Sequence, residues 1–257
     1  MGRPLVLLSN DDGFRADGLN CLREKLLDFA DVVVVAPEYE QSASSHSISL
    51  HRPLRFSLQR PGVYSLEGTP ADCVYTALFG GSRFLPRSPE LVISGINRGL
   101  NLGGDVHYSG TVAAAREAAL RGIRAIAFSA DVDADLARAC TWSRRLVESL
   151  LREVDQSPLL LNVNYPPSGD WPFVVTRLGN RFYRDAVEFR RDPRGREYLW
   201  LGGPPGVENL ADPETDTGAF DRGWVGVTPL ELSPSCHAQH NRVISLVGAL
   251  ESANAQS

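Results

Sequence analysis

The sequence predicts an α/β fold: a parallel-core sheet flanked by helices on both faces, followed by a C-terminal β-rich extension. Two observations predict it. Through about residues 1–165, short Val/Leu/Ile runs of strand length alternate with helical patterns. Strands that are apolar almost throughout belong to parallel sheets covered on both sides. From about residue 166 the pattern changes to short β-like pieces separated by Pro, Gly and charged turns. At 257 residues the chain reads as a single domain, with its core over about 1–165 and its extension over about 166–257. A domain of this size buries roughly three quarters of its surface on folding and needs no disulfide or structural metal.

Each element has a local reason. Leu5-Val6-Leu7-Leu8-Ser9 is a buried strand by length and composition, bounded by Pro4 and Asn10. Residues 17–29 place Leu19, Leu22, Leu26 and Phe29 at helical spacing. Residues 31–36, rich in Val, form a second strand stopped by Pro37. Thr69-Pro70-Ala71-Asp72 opens a helix, with Thr69 as N-cap, Pro70 in the first position and an acid in the first turn. That helix ends near Gly80-Gly81. Residues 91–94 are a third strand, and the Ala-rich 111–120 a helix with Gly122 as its stop. A fourth strand over 125–129, a long helix over 135–153 and a fifth strand over 159–163 complete the core. In the extension, 173–176, 198–201 and 224–228 read as an antiparallel or arm-like addition that serves oligomerisation, and 252–257 as a frayed tail.

Composition excludes several chemistries. Of 26 basic residues, 25 are Arg and one is Lys25. Lys25 sits in Leu22-Arg23-Glu24-Lys25-Leu26, a solvated helix face. Schiff-base chemistry and a P-loop lysine therefore have no residue to use, and phosphate must be met by Arg, backbone amides or a metal. A net charge of -5 offers no basic footprint for a nucleic-acid duplex. Cys21, Cys73, Cys140 and Cys236 form no Cys-x-x-Cys pair, so neither a zinc site nor a redox pair is supported. The apolar run after Met1 is too short for a signal peptide, and no stretch reaches membrane-span length. The expectation is a cytoplasmic protein with reduced thiols and no membrane partner.

Ligands of open parallel sheets bind beyond the carboxyl ends of the strands. Three such loops are rich in oxygen donors and glycine. They are Ser9-Asn10-Asp11-Asp12-Gly13, the stretch from Pro37 through Gln41-Ser42 to Ser47, and Ser94-Gly95-Ile96-Asn97-Arg98-Gly99-Leu100-Asn101. The adjacent carboxylates of Asp11 and Asp12 repel each other and need a cation, a hydrogen-bond cage or full solvation. An exposed Asp-Gly turn is the plain reading. Their place after the first buried strand favours a hard-oxygen site with Ser42 and Asn97, suited to Mg²⁺ or Mn²⁺ rather than Zn²⁺. Ser109-Gly110-Thr111 precedes the Ala-rich helix. It reads either as a simple N-cap or as an anion site that needs no lysine.

Other signals carry less. Asp131-Val132-Asp133-Ala134-Asp135 mimics a calcium loop, but Leu136 stands where glycine belongs, so it reads as a solvated loop and N-cap. No GxGxxG and no GxSxG occurs. His237 and His240 read as surface residues, and His46 and His107 as supporting donors or structural groups near the loops.

Taken together, Leu7 to Gly13, Ala36-Pro37 with Gln41-Ser42, Glu67 to Val74, Ser94 to Gly103 and Tyr108 to Ala115 form a long ordered set of motifs. Asn162-Val163-Asn164, Asp192-Pro193-Arg194-Gly195 and Thr215-Asp216-Thr217 continue it. With this set the chain resembles the SurE family, the stationary-phase survival nucleotidases, over nearly its whole length. The resemblance implies a Rossmann-like core with a C-terminal arm that swaps between subunits of a homodimer or homotetramer. It implies a phosphomonoesterase for nucleoside 5′- and 3′-monophosphates, with one divalent metal per subunit (Mg or Mn) and polyphosphate as a side substrate. The metal ligands it implies are Asp11, Asp12, Ser42 and Asn97. The phosphate-binding residues are Asn97, Asn101, Ser109, Gly110 and Thr111, and the catalytic residues Asp11 and Asp12. One departure stands in the second loop, where Ser42-Ala43-Ser44-Ser45-His46 has Ala and Ser in place of glycine.

Rival readings are a different Mg-dependent phosphatase, a non-catalytic nucleotide-binding oligomer, and a purely structural oligomer whose Asp pair is only a turn. A haloacid-dehalogenase type would carry Asp-x-Asp after the first strand, whereas here the pair is adjacent.

Overall fold

The computed structural model describes residues 2–183, 186–202, 207–209, 212–233, 235 and 243–244. Cys236, His237, His240 and the tail at 252–257 lie outside the described residues. The core elements are β1 (Leu5–Ser9), α1 (Asp17–Leu26), β2 (Asp31–Pro37), β3 (Phe56–Arg60), β4 (Val63–Leu66) and α2 (Pro70–Phe79). They continue with β5 (Leu91–Arg98), α3 (Gly110–Ala119), β6 (Ala125–Ala130), α4 (Leu136–Arg152) and β7 (Leu160–Tyr165). The extension adds β8 (Phe173–Val175), β9 (Arg181–Tyr183), β10 (Val187–Arg191), β11 (Glu197–Leu201), β12 (Val207–Asn209), α5 (Asp216–Asp221) and β13 (Val225–Pro229).

Nine strands form one sheet in the order β3-β4-β2-β1-β5-β6-β7-β13-β8. The run from β4 to β7 is parallel throughout. Alternation along β1 divides the core in two. Val6 and Leu8 pack with Leu19, Leu22 and Leu26 of α1 and with Cys140 and Val147 of α4. Leu5 and Leu7 pack with Cys73 and Val74 of α2 and with Val112 and Ala115 of α3. The apolar stripe of α1 is thus buried, each leucine contributing about 1.5–3 kcal/mol. From β1 the chain runs to β2 on one side, and β5 later takes the other side. The crevice beyond β1 and β5 is therefore the topological switch point of the sheet.

The predicted caps are present. Thr69 and Asp72 form a reciprocal capping box at α2, with bonds of 3.1 and 2.9 Å. Asp135 caps α4 by accepting from the Arg138 amide at 3.0 Å. Asp131 accepts from the Asp133 amide, so the calcium-loop mimic is a turn leading into a cap.

Three features differ from the sequence expectation. β5 runs to Arg98 instead of stopping at Ser94. Its register against β6 shifts between Ser94 and Asn97, with a cis peptide between Gly95 and Ile96. Gly95 has φ +119°, and a Cβ there would stand 2.3 Å from the Phe128 carbonyl oxygen, so only glycine fits this bulge. The β3–β4 hairpin has no clear pattern because β3 is exposed at every position. The extension is only partly an arm. β13 pairs antiparallel with β7 and β8 pairs parallel with β13, which widens the core sheet. The β10–β11 hairpin stands apart, exposing Phe189, Trp200 and Leu201. Among the described residues, no helix is long and apolar enough to cross a membrane.

Candidate functional site

A cleft of about 340 Å³ opens at the switch point and brings together Asp11, Asp12, Ser42, Asn97, Asn101 and Ser109. Gly110 and Thr111, the first residues of α3, are buried just behind it. Glu40, Arg98, Asp105, Tyr108 and Tyr183 also line it. The sequence did not single these five out as site residues, although Arg98 lies in the third of the loops named above. A larger cleft of about 680 Å³ lies at the opposite end of the strands, lined by Arg3, Phe29, Arg87 and Glu148 among others. Two of its arginines are already engaged, Arg3 with Asp31 and Arg87 with Glu90.

The carboxylates are set at different depths. Asp11 is buried and Asp12 half-buried. Asp11 Oδ1 accepts from the Thr111 hydroxyl, and the Asp11 carbonyl accepts from the Gln41 amide at 2.8 Å. Burial pushes the Asp11 carboxyl up to about 6; the Thr111 hydroxyl opposes this and the Asp12 charge adds to it. Asp12 is also raised, chiefly by burial, with Glu40 adding and the Arg98 amide and charge opposing. The Arg98 amide lies 3.4 Å from Asp12 Oδ2. The Arg98 guanidinium donates to the carbonyls of Val132 and Ala134.

The sequence left Ser109-Gly110-Thr111 open between N-cap and anion site. Ser109 is the N-cap of α3, accepting from the Val112 amide at 3.1 Å. The Thr111 hydroxyl is turned to Asp11. Gly110 permits a close approach of protein to protein. A Cβ there would lie 2.8 Å from Ser44 Oγ, 2.9 Å from Asp11 Cβ and 3.0 Å from Pro70 Cγ.

Asn101 is buried in a polar cradle. Its side chain donates to Ser129 Oγ at 2.7 Å. Its amide donates to Asn164 Oδ1 at 2.8 Å, and its carbonyl accepts from Asn162 and Asn164 at 2.8 and 3.1 Å. Asn162 and Asn164 alternate on β7, so they share one face of a buried strand, a signal visible in the sequence. Asn97 donates to the Gly99 carbonyl at 2.8 Å, and Ser42 donates to Glu40 at 2.7 Å.

The donor set suits a small hard cation. Two adjacent carboxylates pushed up by burial, with a hydroxyl and an amide beside them, supply oxygen alone. Among the described residues, no three His, Cys, Asp or Glu converge as metal ligands.

Fold and cleft together define a class: an α/β protein with a hard-oxygen, acidic site at the switch point of a parallel sheet. The family model described as Survival protein SurE matches residues 6–185. The chain is 54% identical over 251 residues to a 5′-nucleotidase SurE of Sorangium cellulosum, covering 96% of each. It is 45% identical over 238 residues to one from Vibrio cholerae, covering 90% of this chain and 93% of the other. A SurE protein crystal structure from Aquifex aeolicus superposes with a TM-score of 0.81 at 36% identity, covering 95% of this chain and 99% of that one. The chain belongs to the SurE family.

Proposed function

We propose that this protein hydrolyses nucleoside 5′- and 3′-monophosphates to nucleoside and phosphate, using one divalent metal, Mg or Mn, per subunit. The charge of the cleft carries this reading. Asp11, Asp12 and Glu40 line it with Arg98 as a neighbouring cation, while Asp105 is paired with Arg181. A phosphate monoester meets net repulsion there unless a cation is bound. The relatives named 5′-nucleotidase SurE support the substrate class.

Asp11, Asp12, Ser42 and Asn97 would hold the metal. When bound, such an ion supplies positive charge for the phosphoryl oxygens and lowers the pKa of water. The residues of the chain do the rest. Asn97, Asn101 and the Ser109-Gly110-Thr111 amides at the start of α3 orient the phosphate. Asp11 and Asp12 are the groups that accept the proton of an attacking water or attack phosphorus directly. Solvent-oxygen labelling in a single turnover separates those two routes. The protein acts as a cytoplasmic homodimer or homotetramer, with the extension in the subunit contacts.

The test is phosphate release from a panel of nucleoside monophosphates in EDTA, Mg²⁺ and Mn²⁺. Metal-dependent release from at least one is expected. No release from any in either metal overturns the reading.

A further inference from the structure

The loop that carries Ser42 is held in an unfavourable shape. Ala43 has φ +56° and Ser45 φ +51°, both left-handed and neither glycine. Such residues persist only where the surroundings over-determine them. Part of the restraint is local. The Ser45 amide donates to the Tyr108 carbonyl at 2.9 Å and the Ser45 hydroxyl to the His107 carbonyl at 2.7 Å.

The rest comes from an acid that the chemistry above does not use. Glu117 sits on α3, its side chain 4% exposed. Its Oε2 lies 2.9 Å from Nε2 of His46, which is on the Ser42 loop. Its Oε1 accepts from Arg121 Nε and Nη2 at 3.0 and 2.9 Å. Arg121 lies over the rings of Tyr75 and Phe79 on α2, at 5.6 and 5.4 Å from their centroids. An unbroken chain of contacts therefore runs from α2 through Arg121, Glu117 and His46 to the loop. The same helix begins with Ser109 and bears Thr111, the partner of Asp11. One rigid element thus fixes both Asp11 and the Ser42 loop.

We propose that Glu117, acting through His46, is a positioning residue that holds the 41–47 loop in the shape presenting Ser42 to the cleft. This rests on the reading of Ser42 as a metal ligand. Removing the clamp frees Ala43 and Ser45 to leave the left-handed region and carries Ser42 away from the carboxylates.

The test measures Mn²⁺ binding by titration calorimetry without substrate, together with thermal unfolding. The proteins are wild type, Asp11→Ala, His46→Ala, Glu117→Gln, and His46→Ala combined with Ala43→Gly. His46 is near the surface, so His46→Ala folds even where a Glu117 variant does not. Expected is a Kd for Mn²⁺ about tenfold weaker in His46→Ala, the scale seen for outer partners of metal ligands. Adding Ala43→Gly recovers part of that loss, because glycine holds positive φ without strain. A purely structural role is not repaired by glycine in the loop. Unchanged Mn²⁺ affinity in His46→Ala overturns the clamp alone, as does a loss that Ala43→Gly leaves untouched. A wild type with no Mn²⁺ binding that Asp11→Ala abolishes sinks the metal reading and the clamp together.

Discussion

Asp216 and Gly103 are 113 residues apart in the chain, and Asp216 Oδ2 accepts the Gly103 amide at 2.8 Å. The other oxygen accepts from the amides of Gly179 and Thr217 at 2.7 and 2.8 Å. Asp216 is 1% exposed. Burial raises its carboxyl, and the three amides pull against that rise. Gly103 opens the 3₁₀ turn Gly103–His107 that leads to Ser109. Arg181 and Tyr183 grip the same turn from β9 by bonding to Asp105 at 2.8 Å. The extension therefore braces one wall of the cleft.

Replacing Asp216 by Ala leaves three amides without their acceptor, two of them in buried hydrogen bonds. The expected cost is about 1–3 kcal/mol of stability, since a buried donor left without an acceptor keeps its desolvation penalty. Phosphate release should fall as the Gly103–His107 turn loosens. Urea unfolding and kcat/KM for a nucleoside monophosphate check both. Wild-type values for both quantities would remove the brace.

Gly110→Ala should cost about 1–3 kcal/mol, the range for forcing an extra carbon into a packed site. The three atoms it meets include the Cβ of Asp11, so activity falls with stability. Gly104→Ala is the control, because a Cβ there meets nothing within 4 Å. Equal melting temperatures for the two variants would show that the contact at Gly110 relaxes freely.

The core was legible because its signals are local. The Val run of β2, the stripe of α1 and the Thr69-Pro70 start of α2 each determine an element without help from elsewhere. The loops holding Asp11, Ser42 and Asn97 were legible for a related reason: strand ends of parallel sheets converge. What escaped the sequence depends on distant partners. β3 lies exposed on the sheet edge and shows no alternation to read. β13 looks like any short extension strand until β7 offers it an edge. Thr111 reads as a cap residue, and only the packing of α3 on β5 and β6 brings its hydroxyl to Asp11 beyond the end of β1. The Ala and Ser in the second loop marked a departure, and the structure places both Ala43 and Ser45 at positive φ.

Asp11→Asn tests the site without disturbing its packing, since the amide has the shape of the carboxylate. In metal-free protein the variant should melt at or above the wild-type temperature, because a charge disfavoured by burial and by Asp12 is gone. Saturating Mn²⁺ should stabilise wild type by about 2.7 kcal/mol at a hundredfold excess over Kd, and Asp11→Asn far less. Phosphate release should fall about 10²-fold or more. Equal Mn²⁺ stabilisation of both proteins would move the metal away from Asp11.

The last prediction concerns acid. Burial alone would raise the Glu117 carboxyl, yet the bonds from His46 and Arg121 outweigh it and hold Glu117 below the usual value of 4.5. The sign follows from linkage. A carboxyl that is more acidic in the folded protein contributes stability that is fully present above its unfolded pKa. That contribution shrinks as pH falls below about 4.5 and vanishes once pH has passed the lower folded pKa. The Glu117→Gln variant has no such group, so this part of the stability gap between wild type and variant should be fully present at pH 5. Below that it should close as pH falls through the range where Glu117 takes up its proton. Urea unfolding of both proteins at a series of pH values measures the gap directly. A gap that stays constant through acid, or widens, would mean that the His46 and Arg121 contacts do not favour the charged form of Glu117.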